Sequence, residues 1–172
     1  MKTKAEQFKW FGFKGQKNGN HLVGNCIFCP DSKQHFSINI KTLRWDCKKC
    51  GTSGNQYTFL GQIADKYYDK TLARHYQRLA KNRHLPALIF RKFRLAYRPG
   101  KGWLTPYFSA NTTDLEDEKK SVVDIRTWHP RGHSLSIKDS KVGLFNAHVL
   151  KQRPSGAPVW ICEGEWDVMA LI

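Results

Sequence analysis

Four cysteines set the strongest constraint on how this chain folds. Cys26 and Cys29 form one Cys-x-x-Cys pair, Cys47 and Cys50 a second, and 17 residues separate them. A Cys-x-x-Cys turn aims two thiolates at one point, and a strand pair between two such turns brings all four together. Phe36-Ser37-Ile38-Asn39-Ile40 alternates apolar and polar as a half-buried strand does, Lys41-Thr42 suits a turn, and Leu43-Arg44-Trp45-Asp46 leads a second strand into Cys47. The expectation is a tetrahedral four-sulfur zinc site. It has no open position for water, so its zinc is structural and stabilises a module too small for its own core. A redox dithiol would need one pair and leave the other unexplained. Gly51 and Gly54 suit the tight backbone after the second pair. Cys162, the fifth cysteine, reads as a buried inert thiol.

Charge is the second constraint. The net charge is +15, and residues 1–110 carry 21 Lys/Arg against 5 Asp/Glu, while residues 111–172 carry 8 against 9. A basic field confined to the first two-thirds attracts polyanions, nucleic acid foremost, and aromatic residues lie among the cations. No stretch of about 18 apolar residues occurs and no signal-peptide pattern follows the N-terminus, so the expectation is a soluble intracellular protein with no membrane partner.

Periodicity supplies the remaining elements. A short aromatic helix is expected over 3–13, a Gly/Asn-rich loop over 14–25, and helices over about 55–66 (capped by Asn55), 69–83 and 86–94. Past the breaker Arg98 to Gly102, strands are expected at Trp103 to Phe108, with Pro106 marking an edge or bulge, and at Val122 to His129. Asn111 to Lys120 reads as a solvated polar loop, and Val159-Trp160-Ile161-Cys162 as a buried parallel strand leading into an apolar helix. The fold class expected is α+β: a small β-rich zinc ribbon (1–64), a basic helical connector (65–102) and an incomplete α/β core (103–172).

These residues resemble a family. Cys26-Ile27-Phe28-Cys29-Pro30-Asp31-Ser32, then His35-Phe36-Ser37-Ile38, then Trp45 to Asn55, is similar to the zinc-binding domain of bacterial and phage DNA primases. The bacterial form usually has His as second ligand, and Cys29 matches instead the four-cysteine variant of phage-type primase-helicases. Val159 to Leu171, with Glu163-Gly164-x-x-Asp167 after the apolar run, resembles the first motif of a TOPRIM domain. Leu104 to Phe108, Val122 to Arg126 and Leu144-Phe145-Asn146 resemble the subdomain before it.

The resemblance implies synthesis of short RNA primers on a single-stranded DNA template in a bacterial or phage-infected cytoplasm. It implies ribonucleotides as substrates, Mg²⁺ or Mn²⁺ at the catalytic centre, and a fused or separate replicative helicase as partner. Glu163 is then the general base or metal ligand, Gly164 the point of backbone approach to phosphates, and Asp167 a stabiliser of the motif. TOPRIM enzymes take further metal ligands from a later Asp-x-Asp motif, which does not occur in this sequence, so the chain is expected to be a piece of a longer primase that makes no primers itself. The competing reading is a non-catalytic nucleic-acid-binding module with a vestigial TOPRIM start. A recombination mediator fits less well, because no helix-hairpin-helix precedes the cysteines.

Candidate nucleic-acid contacts are His35, Arg44, Trp45, Lys48 and Lys49 around the second knuckle, and Arg91, Lys92 and Arg94 farther on. Trp45 reads equally as a core residue, and the second cluster equally as a solvated helix face. Arg74, Arg78, Lys81 and Arg83 read as solvated or loosely attracted to phosphates.

Overall fold

The computed structural model describes residues 5–110, 122–129, 132–135 and 143–172. The expected loop Asn111 to Lys120 lies outside them. The chain is α+β, with two antiparallel meanders joined by three helices. The first sheet runs β1 (Gly15–Asn18), β2 (His21–Gly24), β3 (Phe36–Asn39), β4 (Trp45–Cys47) and β5 (Ser53–Gly54), paired in sequence order. A short helix, α1 (Glu6–Trp10), precedes it. Helices α2 (Gln56–Asp69), α3 (Ala73–Arg83) and α4 (Ala87–Lys92) then lead to the second sheet, β6 (Ala96–Arg98), β7 (Gly102–Phe108), β8 (Val122–His129) and β9 (Gly132–Leu135). A 3₁₀ turn (Ala147–Gln152) and helix α5 (Glu165–Ala170) complete the described elements.

Local chemistry explains the boundaries. Asn55 caps α2: its Oδ1 accepts the N–H groups of Tyr57 (2.9 Å) and Thr58 (3.1 Å), and Thr58 Oγ1 accepts the Asn55 N–H (2.8 Å). Gly54 has to be glycine here, because a Cβ would stand 1.9 Å from Thr58 Oγ1. The expected edge or bulge at Pro106 has a clear cause. Strand β6 pairs only with Gly102 to Leu104, which leaves Pro106 with a partner on one side alone, Ile125 of β8. A proline belongs where no ladder donor is required.

The expected loop over 14–25 is instead the β1–β2 hairpin, with Asn18 opposite His21 across a two-residue turn of Gly19-Asn20. Gly19 has φ +56°, the left-handed conformation that such a turn needs.

The core is aromatic. Phe8, Phe11, Phe13, Phe36 and Phe59 are almost wholly buried and form one cluster with Ile38, Leu60 and Ile63, continuous with Leu104 and Ile125 of the second sheet. Helix α2 packs against β5, β6 and β8, so it is the shared wall of both sheets. The expected division at residue 64 falls inside this helix, and β6, placed in the connector, pairs with β7. A second cluster gathers Tyr76, Leu79, Phe90, Phe93, Leu95, Trp103 and Met169.

Val159 to Cys162 departs from expectation. It is irregular, and Val159, Trp160 and Ile161 are 53%, 77% and 82% exposed. A parallel strand is buried when neighbouring strands pair with it and layers cover its faces. Among the described residues no strand pairs with this segment. Its apolar composition therefore meets no sheet.

Candidate metal centre and basic face

The four thiolates converge as their spacing requires. One ligand atom from each of Cys26, Cys29, Cys47 and Cys50 lies within 4.8 Å of every other, and Cys29 Sγ stands 4.0 Å from Cys47 Sγ. A tetrahedron with zinc–sulfur bonds of about 2.3 Å has edges of about 3.8 Å. The separation and the all-thiolate donor set both fit zinc. Cys26 and Cys47 are buried, Cys29 is half-buried and Cys50 lies at the rim.

Protonation tells the same story. Burial pushes the Cys26 thiol up, and burial with the adjacent thiols pushes Cys29 up to about 12. Burial acts in the same sense at Cys50, but hydrogen bonds from the Thr52 hydroxyl and backbone outweigh it and bring that thiol down to about 6. The Cys26 and Cys29 thiols thus resist ionisation, and a divalent cation in their midst removes the resistance.

The sheet holds the two turns in place. Cys47 closes β4 opposite Phe36, its N–H donates to Thr52 O (2.8 Å), and the Lys48 N–H donates to His35 O (3.0 Å). Gly51 has φ +71°, the left-handed turn that returns the chain to β5. The first turn is held from inside. The Phe28 N–H donates to Cys26 Sγ (3.3 Å), and the Lys66 ammonium of α2 donates to Ile27 O (2.5 Å).

Asp31 organises the first turn, a role the sequence reading did not give it. Its side chain has no exposed surface. Oδ2 accepts the N–H groups of Cys26 (2.9 Å) and His35 (2.8 Å), while Oδ1 accepts the Lys33 N–H (3.0 Å) and His35 Nδ1–H (2.7 Å). Burial alone would raise its pKa, but the His35 ring and the three backbone donors prevail and hold it well below the usual carboxylate range. The visible signal was an Asp two residues after the second cysteine, where an Asx turn starts. Groups that orient metal ligands typically matter 10–100-fold to affinity. Asp31→Ala is therefore expected to weaken zinc retention by about 10–100-fold, read by competition with a chromogenic chelator; an unchanged competition curve would contradict it.

The structure sorts the expected nucleic-acid contacts. Arg44 and Lys48 are exposed and make no side-chain hydrogen bond or ion pair among the described residues. Lys49 is exposed, with its ammonium donating to Pro30 O across the two turns. The His35 ring is half-exposed, with Nδ1 committed to Asp31. Trp45 is corrected: it is 2% exposed, stacks on Phe36 at 5.4 Å and donates Nε1–H to Asn55 O (2.8 Å). Period-two alternation puts Trp45 and Cys47 on the same buried face of β4, which leaves Asp46 on the other. Arg91 lies over the Tyr76 ring (5.2 Å), Arg94 pairs with Asp65 (2.5 Å), and Lys92 is exposed.

At the other end, Glu163 is exposed and makes no hydrogen bond or ion pair among the described residues. Asp167 Oδ2 accepts the Gly164 N–H (3.2 Å), closing the first turn of α5. Glu165 is the more firmly held carboxylate. It accepts from the Tyr107 hydroxyl and from Arg126 Nη1 (3.1 Å) beside a cavity of about 290 Å³ lined also by Phe145, Trp160 and Glu163. Burial, then the Glu165 carboxylate, drives the Tyr107 hydroxyl pKa far upward, so it stays a donor. Among the described residues no group besides the four cysteines brings three His, Cys, Asp or Glu ligands together. Glu163 thus belongs to no such three-ligand group among the described residues.

Fold and site define an α+β chain whose antiparallel N-terminal sheet carries a four-cysteine metal site, with no helix long and apolar enough to cross a membrane among the described residues. No protein-family model matches the chain, and no curated protein matches it. Among solved structures it is similar to the Aquifex aeolicus primase, described as zinc-binding and RNA polymerase domains, at 14% identity and a TM-score of 0.33, over 86% of this chain and 58% of that one. A likeness this distant assigns nothing to individual residues.

Proposed function

We propose that the chain is the N-terminal part of a DNA primase, in which a zinc-stapled ribbon presents cations to single-stranded template. The observation that carries this reading is the four-thiolate site itself, which fixes the turn after β4 that carries Lys48, while Arg44 stands just before that strand, and both are exposed. The ordered motifs, cysteine module first and Glu163-Gly164-x-x-Asp167 last, support it. With Trp45 in the core, the ribbon engages phosphates through charge and not through base stacking on that ring. RNA primer synthesis from ribonucleotides, its divalent cation and its helicase partner belong, on this reading, to the whole protein.

The test is binding of the 172-residue chain to fluorescent oligo-dT across a salt series. Each phosphate contact contributes about 0.7 to the log–log salt slope for single strands. R44Q/K48Q is expected to reduce that slope by about 1.4, and zinc removal to weaken binding. Absence of binding to single strands at low salt would overturn the reading.

A further inference from the structure

Residues 70–110 contain ten Lys/Arg and no Asp or Glu. The structure divides those cations into two sets. Arg83 sits over the rings of Trp128 (4.4 Å) and Trp166 (4.2 Å), Arg91 over Tyr76, and Lys101 over Trp10 (4.6 Å). Arg94 pairs with Asp65, and Arg98 donates Nη1–H to Trp10 O (2.9 Å). These five are anchored to the fold. Lys70, Arg74, Arg78, Lys81 and Lys92 have no side-chain hydrogen bond, ion pair or ring contact among the described residues.

Three of the second set share helix α3. Arg74, Arg78 and Lys81 are spaced four and three residues apart, so they line one face, with Gln77 between them, and all are exposed. At about 100° per residue this face lies opposite Tyr76 and Leu79, which are buried in the second core cluster. An ordinary solvated helix face intersperses acids among its bases. Here Arg74 and Arg78, then Arg78 and Lys81, are like-charged neighbours, and Arg74 stands in the first turn, where the helix end is itself positive. The His75 ring registers that field: burial, then Arg74, lowers its pKa. The helix thus holds a repulsion that a bound polyanion removes.

The dimensions select the polyanion. The seven helical steps from Arg74 to Lys81 span about 10.5 Å. One strand of a duplex places a phosphate about every 3.4 Å along its axis, so about three phosphates fall in that length. The exposed residues of α3 are Ala73, Arg74, Gln77, Arg78, Lys81 and Asn82, with no ring on which an unpaired base could stack. The apolar face is buried in the core and does not insert into lipid.

We propose that α3 is a docking surface for duplex DNA, with Arg74, Arg78 and Lys81 contacting successive phosphates of one strand independently of sequence. This surface is separate from the ribbon and does not depend on the reading given to it. The test uses the full chain and a fluorescent DNA duplex, with oligo-dT of equal length and anionic phosphatidylserine vesicles as comparison probes. R74Q/R78Q/K81Q is expected to lower the duplex salt slope by about 2.7 and to weaken duplex binding at least about tenfold near 100 mM salt, with an unchanged melting temperature. R74K/R78K keeps the charge and is expected to keep the slope. An unchanged duplex slope in the triple variant, an equal loss on oligo-dT, or a loss confined to vesicles would overturn the proposal. The ribbon variant R44Q/K48Q tests the other surface, so either reading can fail alone.

Discussion

Replacing Cys47 with serine is expected to abolish stoichiometric zinc and to lower the melting temperature by at least about 10 °C, at about 2–4 °C per kcal/mol for a chain this size. Cys47 is 2% exposed, terminates β4 and pairs with Phe36, so it joins the metal site to the centre of the aromatic cluster. Structural zinc contributes about 10–16 kcal/mol in small metal-dependent modules. Whole domains are stable by about 5–15 kcal/mol. Losing even a third of the metal's contribution removes a large part of the stability of the ribbon. Serine adds a smaller cost, because its hydroxyl takes a buried place where the thiolate had a metal. The second core cluster, with Tyr76, Leu79, Phe90 and Leu95, contains no cysteine, so part of the helical signal is expected to survive. Cys50→Ser is the internal comparison: Cys50 is exposed at the rim, and the same change there is expected to be milder. Metal analysis together with thermal melting by near-ultraviolet dichroism measures both. Retained zinc and a melting temperature within about 3 °C of the parent would refute the assignment of this metal as structural.

The cysteine site was legible because its information is local. Two short turns and one alternating strand pair are all it needs, and each is written in consecutive residues from Cys26 to Cys50. Asn55 as the cap of α2 was legible for the same reason. The β1–β2 hairpin resembles a loop in sequence because Gln16, Lys17 and Asn18 carry no apolar alternation. Strand β1 is an edge strand whose exposed residues need none, and the only sign was Gly19-Asn20, a two-residue hairpin turn. Trp45 was ambiguous because an indole beside Arg44 and Lys48 serves a core or a stacking platform equally well in sequence. The deciding fact, a carbonyl at Asn55 placed to accept its Nε1–H, comes from another element. The organising role of Asp31 was hidden similarly. A carboxylate that accepts four hydrogen bonds is indistinguishable in sequence from one that accepts water.

Val159 to Cys162 shows where sequence patterns stop. Apolar composition specifies that a segment prefers burial, but burial in a parallel sheet is supplied by neighbouring strands. Among the described residues α5 is held to the second sheet by other means. Glu165 reaches Tyr107 and Arg126, and Trp166 meets Trp128 at 5.3 Å with Arg83 against both rings. The motif's helix therefore docks through Glu165 and Trp166, positions for which the resemblance made no assignment.

Phe59→Ala is the second large effect expected, because one ring on α2 joins three parts of the ribbon. Its centroid lies 4.4 Å from Phe8 of α1, 5.4 Å from Phe28 between the first two cysteines, and 6.1 Å from Trp45 of β4. The first two contacts are edge-on, the favourable arrangement for ring quadrupoles. Phe59 is fully buried, so truncation removes its transfer free energy and leaves a cavity among rigid rings that collapse poorly. The cost is about 3–5 kcal/mol. Phe59→Leu keeps more of the volume and is expected to cost less than the alanine change. The second consequence distinguishes this residue from other core positions. Phe28 packs on Phe59 from within the first metal turn, so the alanine variant should also release zinc faster to a chelator, although position 59 contributes no ligand. Denaturant unfolding gives the first quantity and stopped-flow zinc transfer the second. A destabilisation below about 1 kcal/mol would show that the ring is not the hub its contacts indicate. Full destabilisation with unchanged zinc release would show that core and metal site are energetically separate.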